Sequence, residues 1–231
     1  MLTKYALIVA GGKGERMNAL VPKQFLLLNK KPVLIHTLIR FAPIADHIIL
    51  VLPEEQLEIW GQLSRQYKLE ISPSIVVGGS SRFASVKNGL KQLEGKDGLV
   101  AIHDAVRPFV SGAIIEESYR YAEEKGSGVV AVPVKDSIRK EVGGKSEALD
   151  RKDYRLMQTP QTFRLPALLK AYENASSSTF TDDASVFEAD GNTIFLIEGA
   201  YENIKITTPE DIYLGEAILK YQQHNTHSFK P

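Results

Sequence analysis

The sequence predicts an α/β protein built on a doubly wound, mainly parallel sheet. Short apolar, β-branched runs alternate with helical patterns, and most of these runs are continuous rather than alternating in hydropathy. Continuous apolar runs are expected of strands covered on both faces, and strand–helix alternation is typical of Rossmann-like parallel sheets. Ligands of such sheets bind beyond the carboxyl ends of the strands.

The elements follow one another in a regular order. The candidate strands are 5–10, 47–52, 75–77, 99–103, 129–132, 194–197 and 203–207. One helix behind the capping candidates Ser80 and Ser81 carries apolar residues at steps of three and four, namely Phe83, Val86, Leu90 and Leu93. Another begins at Thr208-Pro209-Glu210-Asp211, where a hydroxyl cap, proline and acids favour a first helical turn.

The segment 138–155 interrupts this alternation. Gly143 and Gly144 suit a β-hairpin turn, but the flanking runs are short and polar. A hairpin without an apolar face is not stable alone, so we expect it to protrude and pack on another subunit as a dimerisation arm. The alternative is a flexible surface loop. We expect a single domain over 1–231 and a homodimer.

Composition narrows the class of protein. The 231 residues hold 28 Lys+Arg and 28 Asp+Glu, so no overall field favours nucleic acid or anionic membranes as partners. Cysteine is absent, which excludes thiolate catalysis and disulfides and fits a reducing compartment. We read no signal peptide at the start and no run near the roughly 18 apolar residues that span a bilayer. The predicted location is cytoplasmic.

A glycine-rich loop follows the first predicted strand. Gly11, Gly12 and Gly14 alternate with the cations Lys13 and Arg16, and backbone N–H groups of such loops bind phosphates. A P-loop is excluded because no Lys-Ser or Lys-Thr pair follows. A dinucleotide fingerprint is excluded because Met17 stands where the third glycine belongs, and 31–36 reads as a helix start. An ordinary strand–helix turn with solvated lysines remains the alternative.

Polar motifs recur where the later strands end. They are Gly78-Gly79-Ser80-Ser81-Arg82, His103-Asp104-Ala105-Val106-Arg107-Pro108, Lys135-Asp136-Ser137, Asp150-Arg151, Thr159-Pro160-Gln161, Thr181-Asp182-Asp183-Ala184 and Asn203-Ile204-Lys205. Each alone is explained by solvated cations or turn residues. Together with the glycine loop and Pro22-Lys23-Gln24-Phe25, they resemble the cytidylyltransferases that transfer CMP from CTP to a polyol phosphate, over nearly the whole chain.

Within that family the chain looks most like the enzymes that act on 2-C-methyl-D-erythritol 4-phosphate in the non-mevalonate isoprenoid pathway. Their reaction is an attack by the acceptor phosphate on the α-phosphorus of CTP, with loss of pyrophosphate. Such phosphoryl chemistry depends on positioning and electrostatic stabilisation rather than on a covalent nucleophile. The mix of loop N–H groups and scattered cations suits that chemistry.

The resemblance assigns roles to individual residues. Arg16 and Lys23 stabilise the transition state, and Arg151 and Lys205 position the acceptor phosphate. Substrate hydroxyl and phosphate contacts fall to Ser137, Thr159 and Thr181, with Ser137 standing where threonine is usual. The nucleotide contacts are Ala10, Gly11, Gly12, Lys13, Gly14, Gly79, Ser85, Asp104 and Ala105, with Arg82 as a further candidate.

The resemblance also implies Mg2+ and a shared site. Asp104 is the one candidate metal ligand, with the ion held mostly by phosphates and water. Because the arm crosses to the partner in this family, Arg151 and Thr159 are expected to serve the neighbouring subunit's site. The alternatives are a ribitol-5-phosphate cytidylyltransferase, a sugar-1-phosphate nucleotidyltransferase and a non-catalytic nucleotide-binding module.

Overall fold

The computed structural model describes residues 1–10 and 21–227. Its strands are β1 (Lys4–Val9), β2 (Leu27–Leu28), β3 (Lys31–Pro32), β4 (His47–Leu52), β5 (Ser74–Val77), β6 (Leu99–Asp104), β7 (Ser127–Pro133), β8 (Ile138–Val142), β9 (Lys145–Leu149), β10 (Arg155–Arg164) and β11 (Leu196–Glu198). Its α-helices are α1 (Val33–Phe41), α2 (Leu57–Gln66), α3 (Arg82–Lys91), α4 (Gly112–Lys125), α5 (Leu165–Asn174), α6 (Asp183–Ala189) and α7 (Glu210–His227).

The central sheet has seven strands in the order β11-β7-β10-β6-β1-β4-β5. The chain starts in the middle at β1, winds outwards through β4 and β5, and then crosses to β6 on the other side. All neighbours pair in parallel except β10, which is antiparallel to both β6 and β7. The predicted doubly wound, mainly parallel sheet is therefore confirmed.

The sheet is covered on both faces, as the continuous apolar runs predict. Successive residues of β1 enter different cores: Leu7 packs with the residues of α3 and α5, and Ile8 packs with those of α1 and α4. Both side chains are fully buried. Parallel strands with helices on both faces require this apolar character at every position.

Polar residues set the ends of several helices. Ser81 caps α3 by accepting a hydrogen bond from Ala84 N at 3.1 Å, as predicted. Asp182 caps α6 in the same way through Ser185 N at 3.0 Å. At the start of α7 the carboxylate of Asp211 accepts bonds from the backbone N–H groups of Thr207 and Thr208 at 2.7 and 2.8 Å. These bonds satisfy donors that a helix start otherwise leaves open.

The predicted strand at 203–207 is wrong. That segment forms no ladder and is linked to its neighbours by single backbone bonds, such as Ile206 N to Val106 O at 2.9 Å. Ile206 is fully buried against Leu28 and α7, so burial rather than sheet pairing explains the apolar pattern. The strand predicted at 194–197 is displaced towards the C-terminus and becomes β11.

The ten-residue strand β10 was not among the predicted strands, because its centre reads as a loop motif around Pro160. Proline cannot donate to a ladder and is confined to edges and irregularities. Here the pairing of β10 with β7 shifts register between Met157 and Gln161, and Pro160 lies within that interruption. A proline can therefore occupy an internal strand of this sheet.

The hairpin predicted at 138–155 forms as β8 and β9, a two-stranded sheet separate from the central one. Gly143 and Gly144 make the turn with φ of 58° and 76°, a left-handed geometry that favours glycine. Most residues of both strands are exposed, so the hairpin has little core of its own. Its role as an arm stays a prediction. Within the described residues, none of the helices has the length and apolar character needed to cross a membrane.

Candidate active site at the carboxyl ends of the central strands

Asp104 ends β6 and lies at the centre of a cluster of cations. Its carboxylate contacts Lys205 Nζ at 2.9 Å, Arg107 Nε at 3.4 Å and Arg82 Nε at 3.5 Å. The parallel register places Asp104 beside Val9, the last residue of β1, after which the glycine-rich segment follows in the sequence. The cluster therefore occupies the edge where ligands of doubly wound sheets bind.

The cluster carries excess positive charge. Burial alone would raise the pKa of Asp104, but Arg82, Lys205 and Arg107 together hold this pKa well below its usual range. The carboxylate is therefore ionised, and with the second acid of the cluster, Asp183, it balances two of the three cations. The Lys205 side chain is 37% exposed and that of Asp104 only 10%, so Lys205 is the cation most open to a ligand. An anion of phosphate type suits this arrangement.

A buried carboxylate, that of Asp183, fixes the position of Arg82. Asp183, at the start of α6, accepts two hydrogen bonds from the Arg82 guanidinium at 3.0 and 2.6 Å and one from the Tyr172 hydroxyl at 2.7 Å. Burial alone would lower the pKa of Arg82, but Asp183 and Asp104 raise it. Burial and Asp183 likewise raise the pKa of Tyr172. Arg82 thus stays charged and fixed between two carboxylates.

Gln161 ties β10 to the start of α6. Its side-chain oxygen accepts bonds from the backbone N–H groups of Asp183 and Ala184 at 2.9 and 2.8 Å. Its side-chain nitrogen donates to Asp182 Oδ2 at 3.0 Å. The amide is buried, so the position of α6, and with it that of the Asp183 carboxylate, depends on a residue of the central sheet.

His103 and Thr159 fix the backbone at Asp104. His103 Nε2 donates to the Arg107 carbonyl at 3.0 Å, and burial lowers the pKa of this histidine to about 4. The neutral ring therefore accepts at Nδ1 from the Thr159 hydroxyl, 3.1 Å away. The same Thr159 oxygen accepts from Asp104 N at 3.1 Å. Thr159 thus contacts Asp104 and His103 within its own chain. Its service to a neighbouring subunit's site stays a prediction.

Asn203 supports the segment that carries Lys205. Its backbone carbonyl accepts from Arg107 Nη1 at 2.8 Å, and its side-chain nitrogen donates to the Thr159 carbonyl at 2.9 Å and to Gln158 Oε1 at 3.2 Å. The side-chain oxygen of Asn203 is buried and has no hydrogen-bond partner among the described residues. Buried polar atoms are normally paired, so this oxygen marks a place for water or a ligand group.

Gly79 and Ser85 form a tight turn between β5 and α3. Gly79 N donates to Ser85 Oγ at 3.0 Å, and that hydroxyl donates to the Ser81 carbonyl at 2.8 Å. A Cβ on Gly79 would lie 2.5 Å from the Cβ of Ala84. Ser85 is fully buried, so its side chain shapes the turn that contains two of the predicted nucleotide contacts, Gly79 and Ser85 itself.

Replacing Gly79 by alanine is therefore expected to lower the free energy of unfolding by about 1–3 kcal/mol, the usual cost of overpacking, and to weaken CTP binding. Chemical denaturation and CTP titration measure the two effects. The matched control is Gly61→Ala in α2, where the nearest atom to the new Cβ is the end of the Arg65 side chain at 3.6 Å. That control is expected to keep or raise stability. Equal behaviour of the two variants would contradict the steric explanation.

Lys23 lies in a short 3-10 helix, Lys23–Phe25, that is tied to the end of β1. The neighbouring Gln24 side chain donates to the Ala10 carbonyl at 3.3 Å and also to the side-chain oxygen of Gln56. Ala10 N donates to the Val51 carbonyl at 2.9 Å, which anchors the start of the glycine-rich segment. The predicted residues Gly11, Gly12, Lys13, Gly14 and Arg16 lie outside the described residues.

The remaining predicted residues occupy two settings. Ala105 is buried beside the cluster, where its N–H donates to the Val9 carbonyl at 3.0 Å. Ser137 and Arg151 lie at the base of the hairpin and are exposed, as is Thr181 just before α6. Arg151 donates to the Lys135 carbonyl. Among hydrogen bonds between described residues, none joins Ser137, Arg151 or Thr181 directly to Asp104.

Several residues of the cluster had no predicted role. These are Arg107, His103, Gln161, Asn203, Tyr172 and Asp183. The available signal was the density of polar residues next to apolar strands, which indicates hydrogen-bonded rather than solvated side chains. No group of three or more His, Asp or Glu side chains suited to a metal occurs within 1–10 and 21–227.

The chain matches proteins of known family over most of its length. Residues 5–221 match the family model described as 2-C-methyl-D-erythritol 4-phosphate cytidylyltransferase. A relative of that name from Porphyromonas gingivalis is 49% identical over 218 residues, which are 94% of this chain and 97% of the relative. A second, from Bacteroides fragilis, is 46% identical over 94% of this chain and its own full length.

Solved structures agree with these sequence matches. The 4-diphosphocytidyl-2C-methyl-D-erythritol synthase of Anaerococcus prevotii superposes with a TM-score of 0.83 at 29% identity, covering 95% of this chain and 96% of its own. The 2-C-methyl-D-erythritol 4-phosphate cytidylyltransferase of Francisella tularensis gives a TM-score of 0.77 at 32% identity, covering 94% of this chain and 99% of its own. The match therefore extends over the central sheet and the elements that form the Asp104 cluster.

Proposed function

The chain belongs to the 2-C-methyl-D-erythritol 4-phosphate cytidylyltransferase family, and we propose that the Asp104 cluster is where its two phosphate-bearing substrates meet. The observation that carries this proposal is the contact of partly exposed Lys205 with buried Asp104 at 2.9 Å, inside a cluster of net positive charge. Two anions must approach each other in this reaction, and fixed cations reduce their repulsion.

The family reaction is CTP-dependent cytidylyl transfer in the non-mevalonate pathway. A phosphate oxygen of 2-C-methyl-D-erythritol 4-phosphate bonds to the α-phosphorus of CTP, and the bond from that phosphorus to the bridging oxygen of pyrophosphate breaks. The products are 4-diphosphocytidyl-2-C-methyl-D-erythritol and pyrophosphate. A phosphate monoester is already anionic near neutral pH, so no general base is required.

Lys205 leaves Asp104 for the acceptor phosphate when the substrate binds. Three features favour Lys205 for this step: its exposure, its flexible stem and the two arginines that remain on Asp104. Arg82 and Arg107 then keep the Asp104 carboxylate ionised and in place. Arg151, Ser137 and Thr181 complete the acceptor site from the base of the hairpin and from the segment before α6.

The nucleotide lies on the side of the cluster opposite the acceptor site, along the ends of β1 and β5. Gly79 and Ser85 hold the cytosine edge, Ala105 lines the nucleotide, and the segment from Ala10 through Gly14 encloses the triphosphate. The support for this placement is the tight Gly79–Ser85 turn, together with the backbone bonds that fix Ala10 and Ala105 beside β4 and β1.

Enzymes of this family generally use a divalent metal, and Mg2+ is the ion that suits this site. Mg2+ is commonly bound by one or two carboxylates together with substrate phosphates and water. Asp104 offers one such carboxylate, so the described donor set fits an ion held mainly by the triphosphate. When bound, the ion offsets the charge of the phosphates. The chain's own part is to present Asp104 at a fixed position through Thr159 and Arg107.

Pyrophosphate release tests the assignment. Purified protein is supplied with CTP and 2-C-methyl-D-erythritol 4-phosphate, with Mg2+ or with chelator, and matched reactions contain ribitol 5-phosphate, UTP, GTP or ATP. We expect release with CTP and the methylerythritol phosphate in the presence of Mg2+. Turnover of ribitol 5-phosphate alone, or a preference for another nucleotide, would overturn the assignment.

Lys23→Ala is expected to preserve CTP binding and to lower kcat at least ~100-fold, the scale for loss of one preorganised charge stabiliser. The backbone of Lys23 is fixed by the Gln24 bond to Ala10, so the variant loses charge without losing the local fold. Steady-state kinetics and CTP titration separate the two effects. Lys91→Ala, at an exposed position on α3, serves as the control. An unchanged kcat would remove Lys23 from the chemistry.

The hairpin β8–β9 serves as the dimerisation arm of a cytoplasmic homodimer. Its exposed strands, its separation from the central sheet and the exposed side chains of Val142, Tyr154 and Leu156 support this role. Analytical ultracentrifugation of the intact chain is expected to give a dimer. Glu substitutions at Val142 and Leu156 are expected to give a monomer, and a wild-type monomer at micromolar concentration would contradict the role.

A further inference from the structure

A second concave site lies away from the Asp104 cluster, between the β2–β3 turn, α1 and α7. This groove has a volume of about 340 Å³, and its polar lining consists of Asn29, Lys31, His36, Arg40, Gln222 and Gln223. None of these residues belongs to the site described above. This volume suits a small ligand rather than a macromolecule.

The groove is rich in cations and has no acidic residue in its lining. Arg40 contacts two neutral oxygens of the described residues, with Nε donating to the Pro108 carbonyl at 3.2 Å and Nη2 to Gln222 Oε1 at 2.5 Å. Within the described part of the chain, neither Arg40 nor Lys31 forms an ion pair with a carboxylate. Elsewhere in the protein Arg82, Arg107 and Arg120 all have acidic partners.

The electrostatics of the groove agree with that geometry. Burial lowers the pKa of Arg40, and no carboxylate within residues 1–10 and 21–227 opposes this effect. Burial also lowers the pKa of His36, and Lys31 and Arg40 lower it further, although the bond from His36 Nε2 to the Leu28 carbonyl at 2.8 Å acts in the opposite direction. Partly buried cations without counter-charges are costly, and a bound anion removes that cost.

We propose that this groove is a second anion site, which binds a phosphate dianion through Lys31, Arg40 and the protonated form of His36. The amide of Asn29 provides a neutral donor at its rim. The ligand chemistry is a phosphate group, whether free phosphate or the end of a small phosphorylated metabolite. The proposal is independent of the catalytic assignment, because no residue is shared between the two sites.

The test follows the side-chain NMR signals of His36 in the full-length protein during titration with inorganic phosphate. The chain has five histidines, and His36→Asn identifies the signal by its loss. We expect saturable shifts and a higher pKa of His36 at saturation. The charged groups facing His36 are Lys31 from β3 and Arg40 from α1, since α7 lines the groove with the uncharged Leu219, Gln222 and Gln223.

Matched variants make the outcome decisive. Lys31→Gln and Arg40→Gln are each expected to weaken phosphate binding about tenfold, the scale of one charge-assisted contact. Lys170→Gln and Arg120→Gln, which remove exposed charges elsewhere, are expected to bind as the wild type does. Equal weakening by the control variants, or no saturable His36 shift in the wild type, would overturn the proposal.

Two further titrations, with glycerol 3-phosphate and with chloride, define the ligand. Glycerol 3-phosphate binding at the affinity of free phosphate would extend the site to phosphorylated metabolites, whereas its exclusion would assign the site to free phosphate. Both outcomes support a phosphate site, but equal binding of chloride would contradict the requirement for a dianion. Lys31→Gln is expected to retain the basal cytidylyl transfer of the wild type, since Lys31 contacts neither the Asp104 cluster nor the segment that carries Arg107. A loss of phosphate binding with full activity therefore separates this inference from the proposed function.

Discussion

Replacing Lys205 by methionine is expected to lower kcat/KM for the polyol phosphate by about 10²–10³-fold, while the affinity for CTP stays close to that of the wild type. Methionine keeps the length and apolar stem of lysine but removes the charge. The effect has the size found when one preorganised charge stabiliser is removed from a desolvated site. It follows from the place of Lys205 as the most exposed cation on Asp104.

The fold is expected to tolerate this change. Asp104 retains Arg82 and Arg107 when Lys205 is removed, so its carboxylate is not left unpaired. Lys220→Met, at an exposed position on α7, provides the matched control. Initial rates over a matrix of both substrates measure the two affinities separately. A wild-type kcat/KM in Lys205→Met, or an equal loss in Lys220→Met, would exclude a direct role of this lysine.

Asp183→Ala is expected to lower the free energy of unfolding by about 3 kcal/mol, because the Arg82 guanidinium loses its bidentate partner and the buried Tyr172 hydroxyl loses its acceptor. The Asp183 side chain is fully buried, but that of Arg82 is 25% exposed and keeps its contact with Asp104. The loss therefore lies at the lower end of the range for breaking a buried ion pair. Urea denaturation of the wild type and of Asp183→Ala measures this loss. The two proteins are expected to share the same slope of unfolding free energy against urea concentration.

A combined variant distinguishes the ion pair from simple packing. Asp183→Leu together with Arg82→Met and Tyr172→Phe removes the carboxylate, the guanidinium and the hydroxyl that bond to one another. Apolar replacement of a buried ion pair is often neutral for stability. We expect the triple variant to regain most of the lost stability but not the activity, because Asp104 has lost one of its cations. Stability as low as that of Asp183→Ala would show that packing, not charge, explains the single variant.

Local patterns account for the elements that could be predicted from sequence. The strand at 47–52 and the helix behind Ser81 depend on apolar spacing and a capping hydroxyl, which are properties of neighbouring residues. β10 could not be found in this way, since its pairing with β6 and β7 compensates for a proline that locally opposes a strand. The apolar pattern of 203–207 is equally misleading, because Ile206 is buried without pairing in a ladder.

The residues of the candidate site also differ in whether the sequence could predict them. Asp104 and Lys205 were predicted from the resemblance of their motifs to those of a known family, and the structure brings them into contact from positions 101 residues apart. The roles of Asp183 and Gln161 depend on contacts across long separations, such as the Arg82–Asp183 pair, and no spacing along the chain encodes them. Such residues read as ordinary polar positions until the fold shows that they are buried.

The antiparallel strand between β6 and β7 has a consequence for the order in which the protein can be built during synthesis. β7 leaves the ribosome before β10, yet β10 must insert between it and β6. A nascent chain that ends before residue 155 can assemble the half-sheet β6-β1-β4-β5, but β7 has no neighbour in place on its β10 side. Thr159, which fixes the Asp104 backbone, arrives on that same inserting strand. Insertion of β10 therefore brings Thr159 to the Asp104 backbone, whereas the sheet and the cluster are finished only when β11 and Lys205, which lie further along the chain, have been synthesised.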